Sequence, residues 1–315
     1  MYRVNRIILF LILGVVLCMY GSASEIPDQP VTTPDALVAF VDKAALYADE
    51  EGINAALEEF SNSSGQFVDG DTYIYAYDMD GNLLAHPYLS EQIGKNRLNV
   101  TDLTGLERIR LGRDTAQNGG GFFLYLFTDQ YNDFTKTPDN TTELSPKLAY
   151  ARTLDNNTWI GASFYLSEMK YPDNESVLEN LSSFVESAAA YEQEAGKEQA
   201  LAEFNNPEGK FTTGSRYIFV DDNNGTVLAK PFAPEEIGLN HRDVVREYGV
   251  RSVAEAIRIA EEDGSGFLVY VVENPVTKKQ ESKLAYVRKM DDSSIIGSGM
   301  YVSEIAGPAN SNITS

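Results

Sequence analysis

Residues 73–87 read YIYAYDMDGNLLAHP, and residues 217–231 read YIFVDDNNGTVLAKP. In both stretches apolar and aromatic residues run up to an Asp/Asn-Gly turn and resume beyond it, which is typical of a β-hairpin. The two stretches lie about 140 residues apart, which is close to the size of one domain and far longer than a solenoid repeat. The sequence therefore predicts two copies of one domain in tandem.

Matching residues follow both hairpins in the same order. The pairs are Ile93-Gly94 with Ile237-Gly238, Gly121-Phe122 with Gly266-Phe267, Lys147-Leu148-Ala149-Tyr150 with Lys283-Leu284-Ala285-Tyr286, and Gly161 with Gly297. The domains are expected at residues 35–169 and 175–305, with a polar tail at 306–315. The copies are expected to meet around Lys170 to Ser176.

Each copy shows the same predicted order of helices and strands. Apolar residues at helical spacing precede each hairpin, from Asp35 to Phe60 and from Glu175 to Phe204. A second helix is expected near Thr104 to Ala116 and near Val244 to Glu262. Three strands then close each copy, at Phe122 to Phe127, Leu148 to Leu154 and Trp159 to Tyr165, and at Phe267 to Val272, Leu284 to Met290 and Ile295 to Tyr301. Because the connections are mostly short, the sheet should be antiparallel with helices packed on it, which is an α+β fold. One longer excursion, Asp129 to Pro146, is expected to be a mobile surface loop.

The N-terminal segment has the three parts of a secretory signal. Arg3 and Arg6 precede an apolar run from Ile7 to Tyr20, and the small residues of 21–23 follow. The run is short for a membrane span of about 20 residues, so residues 1–23 are predicted to be a signal peptide. An uncleaved N-terminal anchor is the alternative. In both cases the rest of the chain is expected outside the cytoplasm, either secreted or anchored to the outer face of the membrane.

The composition argues against several classes of function. The net charge of −22 makes nucleic acid an improbable partner, and contact with a membrane is expected only through the N-terminal segment. The single cysteine, Cys18, lies in the signal segment, so no thiol chemistry is expected in the mature chain. The chain has two histidines and lacks nucleophile-elbow, zinc-protease, phosphate-loop and dinucleotide motifs, so neither catalysis nor a cofactor is predicted. Residues 78–82 lack the later glutamate of a calcium loop, so no metal site is predicted.

At this point the chain resembles a known family. Each copy is similar to a single Cache domain of the second type, the PAS-like extracytoplasmic sensor module of chemoreceptors and sensor kinases. The resemblance rests on Asp78 to Pro87, Ile93-Gly94-Lys95-Asn96, Gly120-Gly121-Phe122, Lys147 with Tyr150, and Ile160-Gly161 before Tyr165. It covers Asp35 to Glu168 and Glu175 to Glu304. It implies a long N-terminal helix, a five-stranded antiparallel sheet with a flanking helix and loops, and a small-molecule pocket often suited to short organic acids.

The chain departs from the pattern of the family in two ways. Only a short polar tail follows the second copy, so no cytoplasmic output domain is expected. The second copy also has Lys230 in place of His86, Leu239 in place of Lys95 and His241 in place of Arg97. The two pockets therefore need not bind the same ligand, and the first copy is expected to be the better binder.

The candidate ligand-binding residues are chosen for a small carboxylate, which needs cations, hydroxyl or amide donors and apolar walls. In the first copy they are Tyr75, His86, Asn96, Arg97, Tyr125, Lys147 and Tyr150. In the second copy they are Phe219, Lys230, Asn240, His241, Tyr270, Lys283 and Tyr286.

Each candidate also has a purely structural interpretation. The tyrosines suit core packing, the lysines suit a solvated sheet edge, His86 suits a hairpin cap, and Asn96 or Arg97 suits bracing of a loop. Gly121, Gly161, Gly266 and Gly297 are read as demands of the backbone rather than ligand contacts.

Two functions remain open from the sequence. The favoured one is an extracytoplasmic protein that binds a small metabolite, without an output domain of its own, and signals through a membrane receptor or envelope protein. The alternative is a structural or adhesive envelope protein that uses the same fold as a spacer with filled pockets. A cavity lined by Lys147 and tyrosines would favour the first function.

Overall fold

The computed structural model describes residues 30–127, 144–169 and 176–307. Each half of this chain folds into a five-stranded antiparallel sheet with helices on both faces. In the N-terminal half the elements are α1 (Pro34–Glu51), α2 (Ile53–Phe60), β1 (Val68–Asp69), β2 (Thr72–Tyr73), β3 (Tyr75–Asp78), β4 (Leu83–Ala85), α3 (Arg108–Gln117), β5 (Gly121–Phe127), β6 (Ser145–Thr153) and β7 (Thr158–Tyr165). The strand order is β4-β3-β7-β6-β5, and β1 pairs with β2 in a separate ribbon.

The C-terminal half repeats this plan. Its elements are α4 (Val177–Ala195), α5 (Lys197–Phe204), β8 (Thr212–Thr213), β9 (Arg216–Tyr217), β10 (Phe219–Asp222), β11 (Val227–Ala229), α6 (Ser252–Glu262), β12 (Ser265–Glu273), β13 (Gln280–Asp291), β14 (Ser294–Tyr301) and α7 (Val302–Ala306). The strand order is β11-β10-β14-β13-β12, which matches the first sheet strand for strand. The α+β fold with two five-stranded antiparallel sheets is therefore confirmed.

The helical stretch that opens each half is divided in two by a glycine. Pro34 and the Thr33 side chain, which accepts from the Ala36 N–H, start α1, and Ser176 with Glu179 forms a capping box on α4. Gly52 and Gly196 then adopt φ of 86° and 85°, which ends the first helix before α2 and α5 begin. The sequence predicted the helical stretch but not this break.

The Asp-Gly hairpin forms as predicted. The Gly81 N–H donates to the Asp78 carbonyl at 3.1 Å, and Gly81 has φ of 89°. The Asp78 carboxylate accepts from both the backbone and the side-chain amide of Asn82. Gly225 repeats the positive φ in the second hairpin.

The second helix of each half begins later than the sequence predicted. The expected starts were Thr104 and Val244, whereas α3 begins at Arg108 and α6 at Ser252. The intervening residues form a tight turn in which the Asp102 N–H donates to the Leu106 carbonyl, and the Arg246 N–H donates to the Val250 carbonyl. Asp102 Oδ1 also accepts from the N–H groups of Thr104 and Leu106, and this side chain bonding competes with helix formation.

These two turns, residues 102–106 and 246–250, are called the paired turns because they touch each other. A Cβ placed on Gly249 would lie 2.9 Å from the Gly105 carbonyl oxygen, and the Glu107 N–H donates to the Tyr248 carbonyl at 3.0 Å. Nearby, β5 lies against β12 and β13, while β12 also lies against β6. Since β5 corresponds to β12 and β6 to β13, the two halves meet with approximate two-fold symmetry.

Several expectations fall outside the described residues. These are the signal segment 1–23, the junction at 170–175, most of the predicted loop from Asp129 to Pro146, and the tail beyond 307. Of the helices in the described ranges, none combines the length and the apolar character that crossing a bilayer requires.

Candidate functional site

A cavity in the N-terminal half lies between the sheet and the segment that runs from β4 into α3. This N-terminal pocket is lined by Tyr73, Tyr75, Tyr77, His86, Leu89, Arg108, Ile109, Phe123, Tyr125, Phe127 and Trp159. Tyr75 and Tyr77 point to this face because alternate residues of a strand share one face. The space that water centres can occupy is about 30 Å³, which is room for roughly two or three water molecules.

The wall of the N-terminal pocket carries hydrogen-bond donors and no carboxylate. Arg108 is buried there, with its guanidinium 5.9 Å from the ring centre of Tyr125 and 5.7 Å from that of Phe127. The indole N–H of Trp159 is fully buried and has no hydrogen-bond partner among the described residues. The Tyr125 hydroxyl lies 2.7 Å from Ser163 Oγ. A buried N–H without a partner is uncommon in a folded protein, and here it lies in a pocket wall.

His86 is neutral in this pocket. Burial first, and then the positive charges of Arg108, Arg97 and Lys147, lower the pKa of His86 to about 3. Its Nδ1 accepts from the Tyr88 N–H at 3.1 Å, so the ring proton resides on Nε2. His86 is therefore a neutral donor, and it lines the pocket rather than capping the hairpin alone.

Lys147 lies at the edge of the N-terminal pocket and not on a solvated sheet edge. It is 2% exposed, and its Nζ donates to the Asp71 carbonyl at 3.3 Å. The same Nζ is 4.1 Å from the ring centre of Tyr165 and 5.1 Å from that of Phe127, which is a pocket residue. The cation is thus held against aromatic faces beside the cavity.

The structure does not bring the other three candidates of this half into the pocket. Arg97 is buried behind the wall, hydrogen-bonded to Tyr77 and to Gln92 Oε1. Asn96 is exposed and donates to the Asp80 carbonyl, so it braces the hairpin. Tyr150 lies on the opposite face of the sheet, paired with Phe122, because it is an odd number of residues from Lys147 along β6.

The C-terminal half holds a similar cavity, the C-terminal pocket. Its lining residues are Tyr217, Phe219, Asp221, Val227, Ala229, Lys230, His241, Arg246, Ser252, Val253, Ala256, Leu268, Tyr270 and Val272. The space for water centres is about 50 Å³. A wider cleft of about 530 Å³ shares Tyr217, Lys230, Arg246 and Val272 with it, so these four residues separate the pocket from an open approach.

Charges of both signs line the C-terminal pocket. Lys230 is ion-paired with Glu236, and His241 Nδ1 lies 3.3 Å from a Glu236 oxygen. Arg246 Nε donates to Ser252 Oγ at 3.2 Å. Asp221 is 5% exposed, and burial raises its pKa to about 7 against the opposing charge of Lys230. The C-terminal pocket therefore differs from the N-terminal one by holding an acid in its wall.

Lys283 is a fully buried cation with no hydrogen-bond partner among the described residues. Its Nζ is 4.1 Å from the ring centre of Tyr217, 4.9 Å from that of Tyr301 and 5.8 Å from that of Phe219. Burial first, and then the positive charge of Lys230, lower the pKa of Lys283 to about 7. Two of the three rings, those of Tyr217 and Phe219, also line the C-terminal pocket.

The remaining candidates of this half lie elsewhere. The Asn240 amide donates to the Asn224 carbonyl and braces the second hairpin, as Asn96 does in the first. Tyr286 lies on the α4 face, where its hydroxyl is 3.4 Å from Glu186 Oε1. Gly161 and Gly297 have a structural role. The rings of Tyr75 and Phe219 lie directly on them and leave no space for a Cβ. Within the described ranges no cluster of three or more acidic, histidine or cysteine side chains is placed to hold a metal.

The comparison with known families decides the identity of the fold. The sequence model of the Cache domain, in its double form, matches residues 40–306 as one stretch. The chain belongs to the Cache domain family. The match confirms the family predicted from the hairpin motifs, and it spans both halves as one double Cache domain. Cache domains are the extracytoplasmic sensor domains of receptors and kinases.

One related protein is a sensor kinase. Over 135 residues this Cache protein is 30% identical to the sensor histidine kinase MctS of Rhizobium johnstonii, a match that covers 42% of this chain and 26% of the kinase. The chain thus spans about a quarter of the length of this curated relative.

Two solved structures are among the proteins similar to this chain. A methyl-accepting chemotaxis protein from Vibrio parahaemolyticus RIMD 2210633 is 22% identical, with a TM-score of 0.37, over 41% of this chain and 90% of that one. The ligand-binding domain of the Pseudomonas fluorescens chemoreceptor CtaA, in complex with L-isoleucine, is 11% identical with a TM-score of 0.25, over 85% of this chain and 84% of that one.

Several pocket residues of this Cache protein were missed by sequence reasoning, namely Tyr73, Tyr77, Arg108, Trp159, Asp221 and Arg246. A signal for Arg108 and Arg246 was present. In the alignment of the two halves, Asp102 matches Arg246 and Arg108 matches Ser252. The first half therefore carries its arginine just after the paired turn, at the start of α3, and the second half carries it at the first residue of the turn. Both pockets thereby keep one arginine.

Proposed function

We propose that this Cache protein is an extracytoplasmic sensor of a short organic acid, bound as its carboxylate in the N-terminal pocket. One observation carries the proposal: the wall of that pocket holds Arg108 and the unpartnered N–H of Trp159 and has no carboxylate of its own. A small anion can accept hydrogen bonds from both groups.

The chemistry of the wall supports an anion over a neutral ligand. A charge-assisted hydrogen bond to a carboxylate is shorter and about twice as strong as a neutral one. Arg108, the neutral Nε2–H of His86 and the tyrosine hydroxyls offer donors of this kind around an aromatic enclosure. The cavity of about 30 Å³ favours a ligand close to acetate in size.

Sensing would follow from closure of the loop from Ile93 to Asp102 over the ligand. This loop leads directly into the paired turn and into α3, which carries Arg108. A ligand that binds the closed form better shifts the equilibrium toward it, including the positions of the long helices α1 and α4. We propose that the ligand-bound domain acts by contact with a membrane receptor or envelope protein. Residues 1–23 are proposed to direct the chain out of the cytoplasm or to anchor it to the outer face of the membrane. The protein is proposed to have no catalytic role. We propose further that each half keeps the plan of a type-2 single Cache domain.

The proposal is tested by calorimetry and thermal shift on the full chain with acetate and propionate, against the uncharged acetamide and propionamide. Ligands that bind the folded state raise the melting temperature, so the acids should raise it and the amides should not. Arg108→Gln should weaken acid binding at least tenfold and Trp159→Phe severalfold, since both remove a donor from the wall. Lys43→Gln, which replaces an exposed cation of the same half outside the closing loop, is the matched control and should leave acid binding unchanged.

Three results would count against this function. Equal shifts with acids and amides would show that charge is not recognised. Acid binding that survives Arg108→Gln unchanged would place the site elsewhere. A flat response to every acid would favour the spacer interpretation, in which the aromatic side chains simply fill the fold.

A further inference from the structure

Lys283 lies in the middle of the second sheet, on the same face as the C-terminal pocket. It is paired with Tyr270 on β12 and with Tyr301 on β14, so the three residues form a row across the sheet. Residues paired in this way share one face, and Tyr270 lines the pocket. Lys283 itself is fully buried, with its Nζ 4.1 Å from the ring centre of Tyr217, another pocket residue. A buried amine therefore lies beside the cavity, behind aromatic rings.

The first half forms the same row around Lys147, but the amine there has a partner. Lys147 is paired with Tyr125 and with Tyr165, and its Nζ donates to the Asp71 carbonyl at 3.3 Å. The Nζ of Lys283 has no hydrogen-bond partner among the described residues. An ammonium group offers three donors, and a buried site that satisfies none of them favours the uncharged amine.

The charged groups around Lys283 act in the same direction. Burial first, and then the positive charge of Lys230, lower the pKa of Lys283 to about 7, and Arg246 adds to this effect. Glu304 on α7 opposes it, but Glu304 is exposed to solvent. Near pH 8 most of the Lys283 amine is therefore uncharged, and a lysine amine without its proton is a nucleophile.

The other titratable groups on this face are phenols and one acid. The phenols stay protonated because burial raises the pKa of each of them, namely Tyr217, Tyr270 and Tyr301. The acid is Asp221 on β10, which lines the same pocket and whose pKa burial raises to about 7. A pH profile of Lys283 therefore has to be separated from the titration of Asp221.

The burial of the amine restricts what can react with it. Lys283 is 0% exposed, and the rings around it keep out ions and bulky electrophiles. The adjoining pocket has about 50 Å³ for water centres, which admits a small neutral molecule such as CO2. CO2 combines with an uncharged amine to give a carbamate, which is an anion. Lys230 and Arg246 disfavour an ammonium at this position and so favour an anion there, an advantage that the imine of an aldehyde would lack.

We propose that Lys283 reacts reversibly with CO2 to form a carbamate, so that CO2 sets the charge beside the C-terminal pocket. The amine nitrogen forms a bond to the carbon of CO2, one C=O π bond opens onto oxygen, and one N–H proton passes to water. The reaction needs no oxidant or reductant. It is independent of acid binding in the N-terminal pocket, since the two cavities share no residue.

The test uses the full chain at pH 8 with ¹³C-labelled bicarbonate, which supplies CO2. Carbamate is detected by ¹³C NMR, then fixed by ethylation with triethyloxonium and assigned by peptide mass spectrometry. This assignment separates Lys283 from the terminal amine, which has a pKa of about 8 and also forms a carbamate. Lys283 should carry at least about tenfold more label than Lys147, whose amine is held by a carbonyl, or Lys279, an exposed lysine of the same half.

Three variants are matched to this test. Lys283→Met should remove the label, whereas Lys147→Met should leave it. At constant CO2 pressure the label on Lys283 should rise between pH 6 and pH 8, because the amine loses its proton in that window. The same rise should occur in Asp221→Asn, which removes the neighbouring titration.

An unlabelled Lys283 in the folded wild type would overturn the proposal, as would equal label on Lys283 and Lys279. A label on Lys283 that persists at the same level in urea would also overturn it, since the fold would then play no part. Lys283→Met should bind acetate as the wild type does. Loss of acetate binding in Arg108→Gln with the label on Lys283 retained would separate the two sites.

Discussion

Replacing Lys283 with methionine is expected to stabilise the protein, although it removes a charged residue with three ring contacts. The ammonium is fully buried and makes no hydrogen bond to the described residues. Burial lowers the pKa of Lys283 from 10.5 to about 7, and since a tenfold change in equilibrium is about 1.4 kcal/mol, keeping this side chain charged costs about 5 kcal/mol below pH 7. Cation–π contact with Tyr217 and Tyr301 offsets about 2 kcal/mol of this. Methionine has a similar shape and no charge, so Lys283→Met should gain about 3 kcal/mol at pH 6.

The gain should depend on pH with a definite sign. The folded-state pKa of Lys283 lies below the unfolded value, so the unfolded chain binds more protons between pH 7 and 10.5. The stability of the wild type therefore rises with pH in that window, and the advantage of Lys283→Met shrinks to below about 1 kcal/mol near pH 10. Urea unfolding followed by circular dichroism at pH 6 and pH 10 measures both values.

The aligned Lys147→Met is the matched control for this prediction. Lys147 donates to the Asp71 carbonyl, so its replacement removes a hydrogen bond and should bring no stabilisation. A Lys283→Met protein that is less stable than the wild type at pH 6, or equally advantaged at pH 6 and pH 10, would refute the reasoning that Lys283 is an uncompensated buried cation.

Three further predictions follow from the described contacts. Gly161→Ala should lower the free energy of unfolding by about 1–3 kcal/mol, because its Cβ would lie 2.7 Å from the Tyr75 hydroxyl; thermal unfolding measures this, and a Tyr75→Leu background should remove most of the loss. Gly249→Ala should destabilise more than Gly105→Ala, since both have positive φ but the added Cβ would lie 2.9 Å from the facing carbonyl in the first case and 3.7 Å in the second; equal losses in urea unfolding would contradict the contact of the paired turns. His86→Gln should reduce the loss of unfolding free energy on acidification. The pKa of His86 is about 3 in the folded state and 6.5 in the unfolded state, so the wild type should lose about 3 kcal/mol between pH 7 and pH 4 that the variant keeps. An equal loss in both proteins would show that His86 is not held neutral.

Much of the fold was predictable because it rests on local chemistry. The Asp-Gly hairpins and the strands on either side of them follow from turn chemistry and from alternation along the strand, and both sheets have the expected strands. The start of α3 was not predictable in this way. Thr104 and Leu106 fit a helical pattern, but the Asp102 side chain captures their N–H groups and holds a turn instead.

The pocket was predictable only in part, for a reason of geometry. Sequence alignment of the two halves identified Lys147, Tyr125 and His86, which lie on or beside the N-terminal pocket. It could not separate the two faces of β6, so Tyr150 was grouped with Lys147 although an odd spacing puts them on opposite sides. The sequence did not predict Asp221 as a pocket residue, because an aspartate next to a hairpin is typical of a turn. The pairing of β10 with β14, which puts Asp221 opposite Ile295, shows that its side chain points into the C-terminal pocket.

The symmetric contact between the halves bears on how the two pockets came to differ. The paired turns meet like with like, and so do β5 and β12, which is the kind of contact that two identical subunits make across a two-fold axis. In a dimer of identical chains a change in one binding cavity is imposed on both. Here the two partners are joined in one polypeptide, so a difference such as Asp221 in place of the phenol at the matching position alters a single cavity and leaves the lining of the other unchanged.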